Sequence, residues 1–282
     1  MAWETVLYEK TDNIAKIILN RPEKRNAQNM RLITELDEAF KKADKDPEVR
    51  VIVLSGAGPS FSAGHDISWW SAPEEYRDII DVPAVRSTPE GVASLEQDMY
   101  FDKCLAIRNI GKPTIAQVHG HCIGAGMMVA AMCDIIYASE DAVFSNPVLR
   151  MTAASVEILF ELYEMGPRRA KEFLFTADTI SAQDAFRLGF VNKVTPRDAL
   201  VEEVMALARK IALTPPIAVS MTKASINHAM DLMGQTNAWQ HHFMVHILSH
   251  HTEEGRRFDE ARRKAGSLKE QLTNYRKGQL SS

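Results

Sequence analysis

A chain of 282 residues, 45% hydrophobic and 25% charged, suits one full-sized domain or a domain with a small appendage, and its composition is that of a globular protein with a complete core. The formal net charge of −4, with no long Lys/Arg run, argues against a phosphate-tracking stripe and so against a nucleic-acid partner. No stretch of about 18 apolar residues is present to span a bilayer, so no membrane partner is expected.

The elements follow in chain order. Thr5–Tyr8 and Ile14–Leu19 flank a polar turn at Thr11-Asp12-Asn13, as in a hairpin, and Arg21-Pro22 stops the second strand. Leu32, Leu36, Phe40 and Ala43 recur at helical spacing and predict an amphipathic helix over about 30–46. Val51–Leu54, bounded by Gly56, reads as a buried strand, and Thr114–Val118 reads as another. Residues 68–95 carry Trp69, Trp70, Tyr76 and three prolines and fit neither period, which predicts a long lid or binding loop. From Ala199 onward the pattern is helical only, with helices near 200–211, 217–230, 235–250 and 253–264. Strands alternating with helices imply crossover units and a largely parallel sheet. The expected division is a core over 1–198 and a helical region over 199–282.

Cys104, Cys122 and Cys133 show no C-x-x-C spacing, and their odd count predicts reduced thiols. The start Met1-Ala-Trp-Glu-Thr5 has an acid where a signal peptide is basic. A cytoplasmic location is expected.

Two segments share one design, a strand followed by small residues and a helix start. They are Val51–Ile67, ending in Phe61-Ser-Ala-Gly-His-Asp-Ile67, and Ile115–Met127, containing Gly120-His-Cys-Ile-Gly-Ala-Gly126. Glycine permits close backbone approach, and a helix start offers unpaired N–H groups. Two such ends meeting at one point would form a two-donor oxyanion hole. By themselves, glycine-rich strand ends are more often plain turns.

These segments resemble the crotonase (enoyl-CoA hydratase/isomerase) superfamily. Phe61–Ile67 is similar to its first signature, and Gly120–Gly126 with Ala131–Ala138 is similar to its second. Ile180–Ala185 with Gly189–Asn192 resembles the downstream block, and Arg21-Pro22 with Arg25-Asn-Ala27 resembles the early CoA-binding turn. The resemblance runs from about residue 3 to 264. It implies an α/β fold, a spiral of ββα turns with two stacked sheets, and a C-terminal helical region used in trimerisation. It implies an acyl-CoA thioester substrate whose coenzyme A is its own part, no separate cofactor, no metal, and a homotrimer or dimer of trimers. Oxyanion donors fall on the backbone N–H groups of His65 and Ala125. Ala63, Ile67 and Gly124 fall along the CoA path, and Arg25 and Ala27 near the phosphates.

The chain departs from the family at the two glutamates that classical hydratases use on water. Those positions read as Met128 and Val148, neither able to exchange a proton. Either the chain performs isomerisation, C–C cleavage or atypical hydration, or it is a non-catalytic acyl-CoA-binding or scaffold homologue. Glu157 is the nearest carboxylate to a position where relatives carry an acid. It reads as an acid/base group or as a helix-start glutamate favoured by the dipole. The His65 side chain is the second candidate for carrying a proton, beside a purely structural role, whereas His119 and His121 read as packing residues. Asp66 and Asp134 read as loop anchors. His242, His246 and His250 share one helix face but lack a nearby Cys or acidic pair, so helix packing or a subunit contact is the expectation.

Overall fold

The computed structural model describes residues 3–67, 73–85, 87–151 and 153–265. Val6–Thr11 (β1) and Ile14–Leu19 (β2) pair antiparallel, and Asp12 at φ 53° makes the tight turn. Met30–Lys45 (α1) starts where the Asn29 side chain accepts the Leu32 N–H at 2.9 Å. It buries Leu32, Leu36, Phe40 and Ala43, the stripe set by its 3.6-residue period. Val51–Gly56 (β3) is buried over its first five residues, as its unbroken apolar run requires.

The expected long loop is largely helical among its described residues. A 3₁₀ turn spans Pro73–Tyr76, followed by Val82–Val85 (α2) and Pro89–Glu96 (α3). The start of α3 has a plain local cause, since Thr88 Oγ1 accepts the Gly91 N–H at 3.0 Å and Pro89 pre-sets the first φ. Without a break, α3 runs through a π-helical turn, Gln97–Asp102, into Lys103–Asn109 (α4). Trp69 and Trp70 lie outside the described residues. Tyr76 is buried in the core, its hydroxyl accepting from Asn29 Nδ2 at 3.1 Å.

The remaining strands are Thr114–Val118 (β4), His121–Ile123 (β5), Ile135–Ser139 (β6), Val143–Ser145 (β7), Ile180–Ser181 (β8) and Lys193–Thr195 (β9). Between them lie Ala125–Ala131 (α5), Glu161–Met165 (α6), Pro167–Thr176 (α7) and Ala182–Leu188 (α8). The chain continues through Leu200–Ala212 (α9), Pro216–Leu232 (α10), Gln235–His250 (α11) and Glu253–Ala265 (α12), the four helices expected. A six-stranded sheet has the order β1-β2-β3-β4-β6-β9, parallel except at β1, and a smaller sheet has the order β5-β7-β8.

One face of the large sheet is covered by α9, whose Leu200, Val204, Met205 and Ala208 meet Ile14, Val51, Val53 and Ile115. The main core fills the other side, and Trp239, Phe243 and Ile247 of α11 join it. Helix α10 buries none of its residues and exposes Ile217, Met221, Ile226 and Leu232. No single helix among the described residues is long and apolar enough to cross a membrane.

Candidate active site

The two glycine-rich segments meet. Ser62 and Cys122 form a parallel bridge, with Ser62 N–H donating to the His121 carbonyl and Ile123 N–H to the Ser62 carbonyl, each at 3.0 Å. A second bridge joins Gln28 to His65, in which Gln28 N–H donates to the Gly64 carbonyl and Asp66 N–H to the Gln28 carbonyl. Alternation along an extended chain turns the His65 N–H to the opposite side, away from Gln28. Ala125 opens α5, so its N–H has no acceptor within its own helix. Gly64 lets the segments approach this closely. A methyl group placed on it would lie 2.7 Å from the Ile123 carbonyl oxygen and 3.3 Å from the Ala125 nitrogen, and its φ is 86°.

Ala63, Gly64, His65, Ile67, Gly124 and Ala125 together line one cavity of about 610 Å³, a size suited to a small-molecule ligand. Glu157, Glu96, Tyr100, His246 and His250 line the same cavity. Arg25 is exposed in a left-handed turn at φ 51°, and its carbonyl accepts the Ala63 N–H at 2.9 Å. That bond ties the early turn, Ala27 included, to the cavity rim. Asn26 fixes the same turn. It is fully buried, donating to the carbonyls of Ala57 (2.9 Å) and Ser60 (2.8 Å) and accepting the Arg21 N–H at 2.9 Å.

Glu157 is 3% exposed and sits in an irregular stretch ahead of α6, after Ser155 at φ 68°. It is therefore not a helix-start glutamate, and no dipole accounts for it. Its Oε1 lies 3.5 Å from His65 Nδ1 and 3.8 Å from His246 Nε2, and its Oε2 has no hydrogen-bond partner among the described residues. The His65 ring stacks on Tyr100 with centroids 3.9 Å apart. Met128 is fully buried in the core, while Val148 lines the cavity.

The C-terminal histidines divide. Burial pushes His242 down to about 4, and its Nε2 meets the Val156 carbonyl at 2.9 Å, a packing role. His246, one turn on, faces the cavity. Burial lowers its pKa, but the close contact with Glu96 and the charges of Glu157 and Glu96 outweigh this and hold it above its ordinary value. Burial raises the Glu96 carboxyl, and the His246 contact together with the charges of His246, His250 and His65 brings it below the usual range. Glu96 and Tyr100 escaped the sequence reading, and His246 and His250, read there as helix packing or a subunit contact, line the cavity instead. Glu96 belongs to a helix that was not expected, and the histidines lacked a visible acidic partner.

The other singled-out residues do not line the cavity. His119 is buried with its Nε2 3.0 Å from the Gly58 carbonyl, and His121 Nδ1 lies 3.3 Å from Ser60 Oγ. Asp66 accepts from Arg21 Nη1 at 2.8 Å. Asp134 accepts the Thr114 N–H at 2.7 Å and pairs with Lys223 at 2.8 Å. All three thiols are buried and unpaired.

Comparison with known proteins agrees with this architecture. Residues 9–265 match the family model described as enoyl-CoA hydratase/isomerase. EchA13 of Mycobacterium tuberculosis, a candidate enoyl-CoA hydratase by name, is 42% identical over 258 residues, covering 88% of this chain and 81% of its own. The mitochondrial Delta(3,5)-Delta(2,4)-dienoyl-CoA isomerase of Rattus norvegicus is 34% identical, covering 78% of this chain and 67% of its own. A crystal structure of a candidate enoyl-CoA hydratase from Mycobacterium smegmatis superposes with a TM-score of 0.80 at 40% identity, covering 87% of this chain and 94% of that one.

Proposed function

The chain belongs to the enoyl-CoA hydratase/isomerase family, and on that premise we propose that it moves a proton along the acyl chain of a CoA thioester, shifting a double bond. In this reading the thioester carbonyl accepts from the His65 and Ala125 N–H groups. Ionised Glu157 takes a proton from the acyl chain, and negative charge moves onto the carbonyl oxygen. Each backbone donor then supplies up to about 3 kcal/mol where the charge develops. The resulting Glu157 carboxylic acid returns the proton to a different carbon, so the reaction is neutral overall. His65, 3.5 Å from Glu157 and stacked on Tyr100, holds the carboxylate in place. Ala63, Ile67 and Gly124 flank the CoA arm, and Arg25 and Ala27 lie toward its phosphates.

The observation that carries this choice is a buried carboxylate lining the same cavity as His65 and Ala125, while Met128 and Val148 are apolar. Hydration needs an acid and a base placed on one water, and those two side chains can be neither. One carboxylate suffices to shuttle a proton.

Incubating enoyl, dienoyl, cyclic and β-keto acyl-CoA thioesters with the protein in heavy water, followed by mass spectrometry, tests the proposal. Deuterium gain with double-bond migration is expected. Glu157→Gln should slow it 10²–10⁴-fold, about the range of general acid–base catalysis, with CoA-thioester binding retained. Binding without exchange or turnover would instead mean a non-catalytic acyl-CoA-binding homologue. Water addition or acyl cleavage would assign a different reaction to the same frame. We place the protein in the cytoplasm, and we read the apolar face of α10 as a subunit contact of a homotrimer or dimer of trimers.

A further inference from the structure

We propose that Glu96, His246 and His250 form a site for a divalent transition metal of the zinc class, in the wall of the acyl-CoA cavity. Three distances define it. His246 Nε2 lies 3.1 Å from His250 Nε2 and 3.3 Å from Glu96 Oε2, and His250 Nε2 lies 3.8 Å from Glu96 Oε2. Tetrahedral zinc with bonds of about 2.0–2.1 Å keeps its ligand atoms roughly 3.3–3.4 Å apart. Two of the three separations stand within about 0.3 Å of that spacing, and the third, His250 to Glu96, is roughly 0.4 Å longer, a gap that a small turn of the partly exposed His250 ring closes.

Independent features point the same way. Glu96 is 5% exposed, and its Oε2, aimed at the histidines, has no hydrogen-bond partner among the described residues. Its nearest positive counterpart is the His246 ring at 3.3 Å, and a bound cation would replace the imidazole proton as the counter-charge. His246 Nδ1 meets the Ser155 carbonyl at 2.8 Å. That contact fixes the proton on Nδ1 in the neutral ring and leaves the Nε2 lone pair toward the cluster, the arrangement typical of metal-bound imidazoles. His246 and His250 are four residues apart on α11, so both project from one helix face. Two imidazoles and one carboxylate make a borderline N₂O donor set, suited to Zn²⁺ rather than Ca²⁺ or Mg²⁺. All three side chains line the cavity, so the remaining coordination positions open toward it, for water or an oxygen of the bound ligand. The proposal stands apart from the proton-shuttle reading, because metal binding is measured without substrate.

The test uses the untagged full chain, stripped with a chelator and titrated with Zn²⁺ by calorimetry and with Co²⁺ by visible absorption. One equivalent per chain is expected, with the intense Co²⁺ bands of a four- or five-coordinate ion. Glu96→Gln and His250→Gln, each checked for folding by circular dichroism, should weaken binding at least tenfold. His241→Gln and His228→Gln alter exposed histidines and should leave it unchanged. The proposal is overturned by the absence of saturable Co²⁺ absorption. It is equally overturned by affinity that survives in both Glu96→Gln and His250→Gln, or that falls with the exposed histidines.

Discussion

Gly64→Ala perturbs the meeting of the two glycine-rich segments while removing no functional group. The added methyl would stand 2.7 Å from the Ile123 carbonyl oxygen, so the backbone must give by roughly half an ångström to reach even a tight but tolerable carbon–oxygen contact. Neither contact atom is a flexible side-chain end; both belong to the backbone. The φ of 86° adds about 1–2 kcal/mol of strain for a residue with a Cβ. A misplacement of 1 Å can cost about 10²-fold in rate, so half of that should slow proton exchange roughly tenfold, or about 1.4 kcal/mol. The assay is deuterium incorporation into an acyl-CoA, read beside thioester affinity, which should hold within about threefold if ground-state contacts persist. Gly166→Ala is the matched control. Its φ is 75°, and nothing stands within 4 Å of the added methyl. It should lose stability and keep the rate. If Gly64→Ala folds and exchanges at the wild-type rate, the His65 and Ala125 N–H groups do not form the oxyanion hole.

Two further outcomes are expected. Burial pushes the Glu161 carboxyl up to about 7, despite its acceptance of Asn146 Nδ2 at 2.7 Å. A carboxyl with a raised folded pKa binds a proton that the unfolded chain releases, so stability should fall as pH rises from about 4.5 to 7 and then level off. Glu161→Gln keeps an acceptor for Asn146, and chemical denaturation at pH 8 should show a gain on the order of 2–3 kcal/mol; an unchanged denaturation midpoint would refute it. Light scattering should give three or six chains per particle, and Met221→Glu, on the exposed face of α10, should lower that number; a wild-type monomer would remove the subunit-contact reading.

What the sequence disclosed depended on how local the cause was. The hairpin at Asp12, helix α1 and the four C-terminal helices follow from turn chemistry and a 3.6-residue stripe, both readable within one window. Helix α3 was equally local, since Thr88, Pro89 and Glu90 spell a helix start, but the neighbouring prolines masked it. The cavity wall was not local. Glu96 and His246 come from helices 150 positions apart in sequence, and only packing brings them to 3.3 Å. Glu157 could be placed in register but not in conformation, because no periodic pattern encodes the irregular stretch around Ser155. Spacing put His242, His246 and His250 on one face. It could not tell that His242 would be spent on the Val156 carbonyl.

The π-helical turn at Gln97–Asp102 bears on how such a cavity can change. Val92, Glu96 and Tyr100 all line it at intervals of four residues. In an α-helix four residues overshoot a full turn by ~40°, whereas in the wider π turn four residues fall short of one. The two deviations oppose each other, and the three side chains stay nearly in file. Deleting one residue inside the turn would rewind it to α-helix and swing everything upstream by ~100°. Glu96 would leave the cavity and a neighbour would take its place, with no residue of the sheets or of the two glycine-rich segments altered. A single codon lost there would exchange the acidic group on the cavity wall while leaving every other side chain of the chain in place by identity.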